Sequence, residues 1–185
     1  MSVFSITNRY ASALLKQAEN TNRFDVVSDD LQLVHDTLES SKELRVALKS
    51  PVINEEKKKS ILNALFGSKI DKESANFLNF VVKKNREDIL FEITKRYLEL
   101  RDEKMNIVPA KVTTAFELSN NEKELLTKSL ENYSKKNVRI SFDVDSALIG
   151  GFIVQLKDKM LDASVIQQLS LLRKRLAKSD QTLVN

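Results

Sequence analysis

No cysteine occurs among the 185 residues. Disulfides, thiol catalysis and cysteine-ligated zinc are thereby excluded, and the composition fits a reducing compartment. No apolar run approaches the length of a membrane span. The first residues lack the basic region, apolar core and small-residue cleavage site of a secretory signal. There is one histidine, His35, set in a helical pattern without a Ser, Cys or metal-ligand spacing around it. It reads as a surface or structural residue. No Gly-x-x-x-x-Gly-Lys-Ser/Thr appears, so no phosphate cradle is visible. Asp143 and Asp145 suggest a metal pair, but two carboxylates on the outer face of a strand, with no further ligands nearby, read as solvated. An enzyme acting alone is not expected, nor is a cofactor or a metal.

Charge of one sign is also scarce. The net charge is +4, from 30 basic and 26 acidic residues. The two signs are interspersed, so the excess is not a nucleic-acid footprint by itself. The run Lys57-Lys58-Lys59 reads as a solvated helix face.

Glycine is rare: only three are present, and two are adjacent, Gly150 and Gly151. Before them Val138, Ile140, Phe142 and Val144 alternate with polar residues, the period of a half-buried strand. After them Phe152, Val154 and Leu156 alternate likewise. The spacing predicts a hairpin of these two strands around the glycine pair. The pair is expected to be structural, kept either for a positive φ or for close backbone approach. Residues 107–115 are β-branched, with Pro109 near the start, and predict an edge or early strand.

The first 105 residues predict helix after helix: about 5–19, 23–39, 42–49, 54–67, 71–84 and 87–104. Ser50-Pro51 stops the third. Asn54 caps the fourth, and Gly67 is its expected C′ residue. Short polar connections predict a bundle of antiparallel neighbours. Ser119 to Glu122 is a capping-box pattern opening a seventh helix, with Leu125, Leu126, Leu130 and Tyr133. Ser164 to Gln167 is a second such pattern, opening a last helix whose apolar stripe is Val165, Leu169, Leu172 and Leu176. The expected fold is mainly α: an N-terminal six-helix bundle, residues 1–105, followed by a smaller α+β domain, residues 106–185.

Two helices carry more apolar surface than a single core contact needs. On the first, Ile6, Tyr10, Ala11, Ala13, Leu14, Leu15 and Ala18 cover about 200° of arc. On the fifth, Ala75, Phe77, Leu78, Phe80, Val81 and Val82 cover about 220°. Burial on two sides within a bundle accounts for this. So does a groove for a partner's amphipathic helix.

Four motifs then occur in order. They are Arg9-Tyr10-Ala11-x-Ala13-Leu14; Ser50-Pro51 with Lys57 and Ile61-Leu62; Asn76-Phe77-Leu78 with Asn85-Arg86; and Val144-Asp145-x-x-Leu148-Ile149-Gly150-Gly151 leading to Asp162-x-Ser164. Together they resemble the delta subunit of F-type ATP synthases, whose mitochondrial counterpart is the oligomycin-sensitivity-conferring protein. The resemblance runs over nearly the whole chain. Ala163 stands where that family usually has glycine, and Leu156-Lys157-Asp158 where a Gly-Asp is common.

The resemblance implies a non-catalytic stator subunit of the proton-translocating enzyme, at the top of the catalytic head. It would tie the head to the peripheral stalk and resist the torque of rotation. Its helical domain would bind the N-terminal helix of a head alpha subunit between helices 1 and 5, and Tyr10, Leu14, Phe77, Val81 and Val82 are the expected contacts. Its C-terminal domain would hold the b subunits through the last helix, at Leu169, Leu172, Arg173 and Leu176. One copy per complex, no nucleic acid and a peripheral place on the cytoplasmic face of a bacterial membrane are expected. An RNA-binding protein or a generic helical adaptor is the alternative. Against RNA stand the few aromatics and the absence of a stacking platform in the strands.

Overall fold

The computed structural model describes residues 2–156 and 159–181, with side chains as far as residue 174. The protein is mainly helical, with a small mixed sheet near the C-terminus. The chain divides into two compact units, Met1–Lys104 and Met105–Asn185.

The first unit holds α1 (Val3–Asn20), α2 (Phe24–Ser40), α3 (Lys42–Lys49), α4 (Glu55–Phe66), α5 (Lys72–Lys83) and α6 (Leu90–Lys104). A 3-10 turn, Glu87–Ile89, leads into α6. Most helix starts are written in small polar residues. The side chains of Ser2, Ser41, Asn54 and Asp71 each accept from a backbone N–H of the following turn, satisfying donors that the helix leaves open. Helix ends show how a glycine-poor chain manages the left-handed turn. Asn22, Asn85 and Asn106 take positive φ just past α1, α5 and α6, a conformation asparagine tolerates better than most residues. Gly67 does not. It caps α4 with right-handed dihedrals, φ −55° and ψ −28°.

Two packed clusters fill this unit. One gathers Val34, Leu38, Leu48, Leu62, Phe66, Leu78, Val81, Val82 and Ile93 from α2 to α6. The other gathers Ala11, Leu14, Ala18, Val27, Leu31 and Tyr97 from α1, α2 and α6. Phe77 of α5 packs against both. Beneath α4, Lys58 Nζ donates to Glu87 Oε1 at 2.7 Å, with both side chains almost wholly buried. The middle lysine of the basic run therefore points inward, while Lys59 pairs with Glu55 on the surface.

The second unit holds β1 (Ile107–Thr114), α7 (Asn120–Ser134), β2 (Asn137–Val144), β3 (Phe152–Leu156), β4 (Lys159–Asp162) and α8 (Val165–Gln181). The sheet order is β2-β1-β3-β4. β1 and β2 pair in parallel around α7, as a β-α-β connection requires. β3 pairs antiparallel with β1 and with β4. Two expectations are corrected here. β2 and β3 form no hairpin, because β1 lies between them. β1 is a central strand, not an edge. Pro109 lies near the start of β1, and among the described residues the pairing with β3 runs from Ala110 to Thr114. The Ser119–Glu122 capping box is present in full. Ser164 Oγ accepts from Gln167 N at 3.2 Å, but its own N–H donates to Asp162 Oδ1 at 2.9 Å. The Asp162 carboxylate thus does what the second half of a capping box would do. Lys157 and Asp158 lie outside the described residues.

Candidate partner-binding surfaces

The side chains that first suggest chemistry have structural roles. His35 Nδ1 lies 3.0 Å from Thr94 Oγ1, and its ring stacks on Phe91 at 4.9 Å. Burial holds its pKa below the ordinary value. Asp143 pairs with Lys111 across β1 and β2 at 2.7 Å. Asp145 Oδ1 accepts from Ala147 N at 2.9 Å, closing the turn after β2. Among the described residues no group of three or more His, Cys, Asp or Glu side chains is placed to hold a metal. Phe142 and Phe152 are half-buried against the core of the second unit beside Leu126.

The surplus apolar arcs of α1 and α5 resolve into core and surface. Leu14, Val81 and Val82 are buried, at 2%, 0% and 0% exposure. In this structure they belong to the core and not to the outer face expected of partner contacts. Leu14 faces the cluster of α1, α2 and α6, and the two valines face the cluster of α2 to α6. Tyr10 and Phe77 are half-buried. Besides the packing of Phe77, two side-chain contacts join the helices. Tyr10 and Phe80 lie ring to ring, centroids 6.1 Å apart. Thr21 Oγ1, just past the end of α1, donates to Glu73 Oε2 in the first turn of α5 at 3.0 Å. The two contacts make the helices antiparallel.

What faces outward along this seam is a strip. Val3, Ile6, Tyr10 and Ala13 recur at helical spacing on α1, and Phe80, 46% exposed, lies beside them on α5. Phe80 and Ala13 sit at the margins of arcs whose centres are core. The signal for them is position at the arc's edge, not membership in the arc.

α8 is the opposite case. Val165, Ile166, Leu169, Leu171 and Leu172 are all exposed, from 36% to 52%. Arg173 and Lys174 are exposed beside them. Single exposed apolar residues are ordinary, but five within eight positions on one helix form a patch. The sequence stripe names two of its residues as contacts, Leu169 and Leu172. Ile166 and Leu171 widen it. The side chain of Leu176 lies outside the described residues, as do those of Arg175 and Lys178.

The glycine pair fixes how α8 leaves the sheet. Gly151 has φ +79°, and a Cβ there would meet Ser164 Cα at 3.0 Å and the Ala163 carbonyl oxygen closer still. Both expected reasons for a glycine therefore hold at one position. Gly150 accepts from Val165 N at 3.0 Å and faces the Val165 side chain.

A family described as ATP synthase delta (OSCP) subunit matches residues 6–176. The ATP synthase subunit delta of Chlorobium phaeovibrioides is 40% identical over 176 residues, covering 95% of this chain and 97% of that one. The subunit of the same name from Chloroherpeton thalassium is 35% identical, with 95% and 96% covered. That of Salinibacter ruber is 35% identical, with 97% and 94% covered. In fold, a chain of the cryo-EM structure of the Toxoplasma gondii mitochondrial ATP synthase hexamer is similar, with a TM-score of 0.70 at 22% identity. The match covers 96% of this chain and 98% of that one.

Proposed function

The chain belongs to the ATP synthase delta (OSCP) subunit family, and from that premise we propose that it joins the catalytic head to the peripheral stalk through two separate surfaces, one in each unit. It is a peripheral-stalk subunit of an F-type ATP synthase and not a catalytic one. No helix among the described residues is long and apolar enough to cross a membrane. Its place is at the cytoplasmic face of a bacterial membrane, as a single copy.

Two unpartnered apolar surfaces carry this reading. The α1–α5 strip of Tyr10, Ala13, Phe77 and Phe80 receives the N-terminal amphipathic helix of a head alpha subunit. The exposed face of α8, with Leu169, Leu172 and Arg173, receives the b subunits. A linker under torque needs anchors that do not dissociate. Exposed ion pairs contribute at most about 1 kcal/mol each, whereas buried aromatic and aliphatic anchors contribute about 2 kcal/mol or more.

The test is calorimetric titration of the full chain with a synthetic peptide of the alpha subunit's N-terminal segment. Saturable one-to-one binding that is retained at high salt supports the reading. Absence of binding by a folded protein overturns it.

A further inference from the structure

The two ends of the α1–α5 strip differ in charge. At the end where α5 begins, the acidic groups near the seam are engaged, and of the α5 lysines only Lys72 is exposed there without an ion pair among the described residues. Asp71 pairs with Arg23 at 2.5 Å, Glu19 pairs with Lys104, and Glu73 accepts from Thr21. At the other end, Lys83 and Lys84 follow Phe80 by three and four residues, which places them one turn further on the same face. Both are exposed, and neither forms an ion pair among the described residues. Lys84 Nζ lies 5.6 Å from the centre of the Phe80 ring, so its ammonium is held at the rim of the apolar strip. The helix C-terminus offsets part of this charge, since its partial charge is about −0.5 against two full positive charges.

We infer that the helix seated on the α1–α5 strip carries acidic side chains in one terminal turn, and that this turn lies over Phe80 against Lys83 and Lys84. The inference rests on the head-binding reading of the strip and adds register and direction to it. Acidic side chains belong in the first turn of a helix, where they complement its positive end. The partner's N-terminus therefore lies at the Phe80 end, and the partner runs antiparallel to α5. The apolar strip supplies the affinity, and the lysine pair chooses between the two directions in which an amphipathic helix can lie in it.

The experiment titrates the full chain with the alpha-subunit peptide at low and at high salt. Lys83→Glu/Lys84→Glu is compared with the wild type, with Lys83→Ala/Lys84→Ala and with Lys135→Glu/Lys136→Glu, a charge-matched control in the other unit. Reversal at 83 and 84 is expected to weaken binding about five-fold at low salt, with the gap closing as salt screens exposed charges. The alanine pair should fall between, and the control should bind as wild type. A peptide whose acidic residues are changed to lysine should prefer the reversed variant. If the wild type binds and the reversed variant binds equally well, the charge inference fails while head binding stands. Equal weakening by the control overturns it too, in favour of net charge alone. If the folded wild type does not bind, the head-binding reading fails and takes the inference with it. A nitroxide at the peptide's N-terminus should broaden the Phe80 resonances, and broadening only from the C-terminus would reverse the direction assigned.

Discussion

The N-terminal unit buries its apolar faces and the C-terminal unit does not. In the first, two clusters joined by Phe77 bury apolar residues from all six helices, and the large apolar side chains left exposed are scattered apart from the strip along α1 and α5. In the second, the buried core is Ala110, Val112, Leu130 and Val154, while α8 holds five large apolar side chains exposed. The first unit fills its own core and presents the α1–α5 strip on the outside. The second presents a helix whose apolar side chains remain 36% to 52% exposed. The proposed function assigns each unit its own mode: a receptor surface for a partner helix in the first, and a helix offered to a partner in the second.

The comparison breaks most sharply at the buried ion pair. Lys58→Met leaves Glu87 charged and alone in the core, at an expected cost of about 3–5 kcal/mol. Lys58→Met/Glu87→Leu should recover most of it. Denaturant unfolding of both variants checks this, and the loss should be confined to the helical unit. Gly151→Ala acts on the other unit. It places a Cβ against the backbone of Ala163 and Ser164 at a positive φ, for an expected loss of about 3 kcal/mol. The alpha peptide should still bind this variant if the units act separately, and the b-subunit segment should not. Leu169→Asp/Leu172→Asp should leave stability within about 0.5 kcal/mol. It should weaken stalk binding by about 2 kcal/mol or more, measured by calorimetry.

The smallest effect is one of pH. Burial lowers the pKa of His35 in the folded state, so the unfolded chain binds more protons as pH falls through the ordinary histidine range. The helical unit should therefore lose stability between roughly pH 7 and 5, where carboxylates stay ionised. His35→Gln should flatten that slope in pH-dependent unfolding curves.

Much of this contrast is legible in the residues. Helix starts are written in Ser41, Asn54, Asp71 and Ser119, because capping is a local interaction. The surplus arcs of α1 and α5 are legible too, but not how they divide. Whether Val82 or Phe80 faces outward depends on where α2, α4 and α6 lie, and periodicity within one helix carries no such information. Strand order fails for a related reason. Alternation marks β2 and β3 but not that β1 inserts between them, since pairing is non-local. β4 has no alternation to find: Lys159, Met160, Leu161 and Asp162 are all exposed. Gly150 and Gly151 stand out in a glycine-poor chain, yet the hairpin they suggest is instead the docking point of α8.

The most direct test is simultaneous titration of the full chain with the alpha-subunit peptide and a C-terminal segment of the b subunits, using Tyr10→Asp/Phe80→Asp and Leu169→Asp/Leu172→Asp. Separate surfaces predict that both partners bind the wild type together. The first variant should then lose only the alpha peptide, and the second only the b segment. Competition between the partners, or loss of both from either variant, would contradict a linker with one grip in each unit.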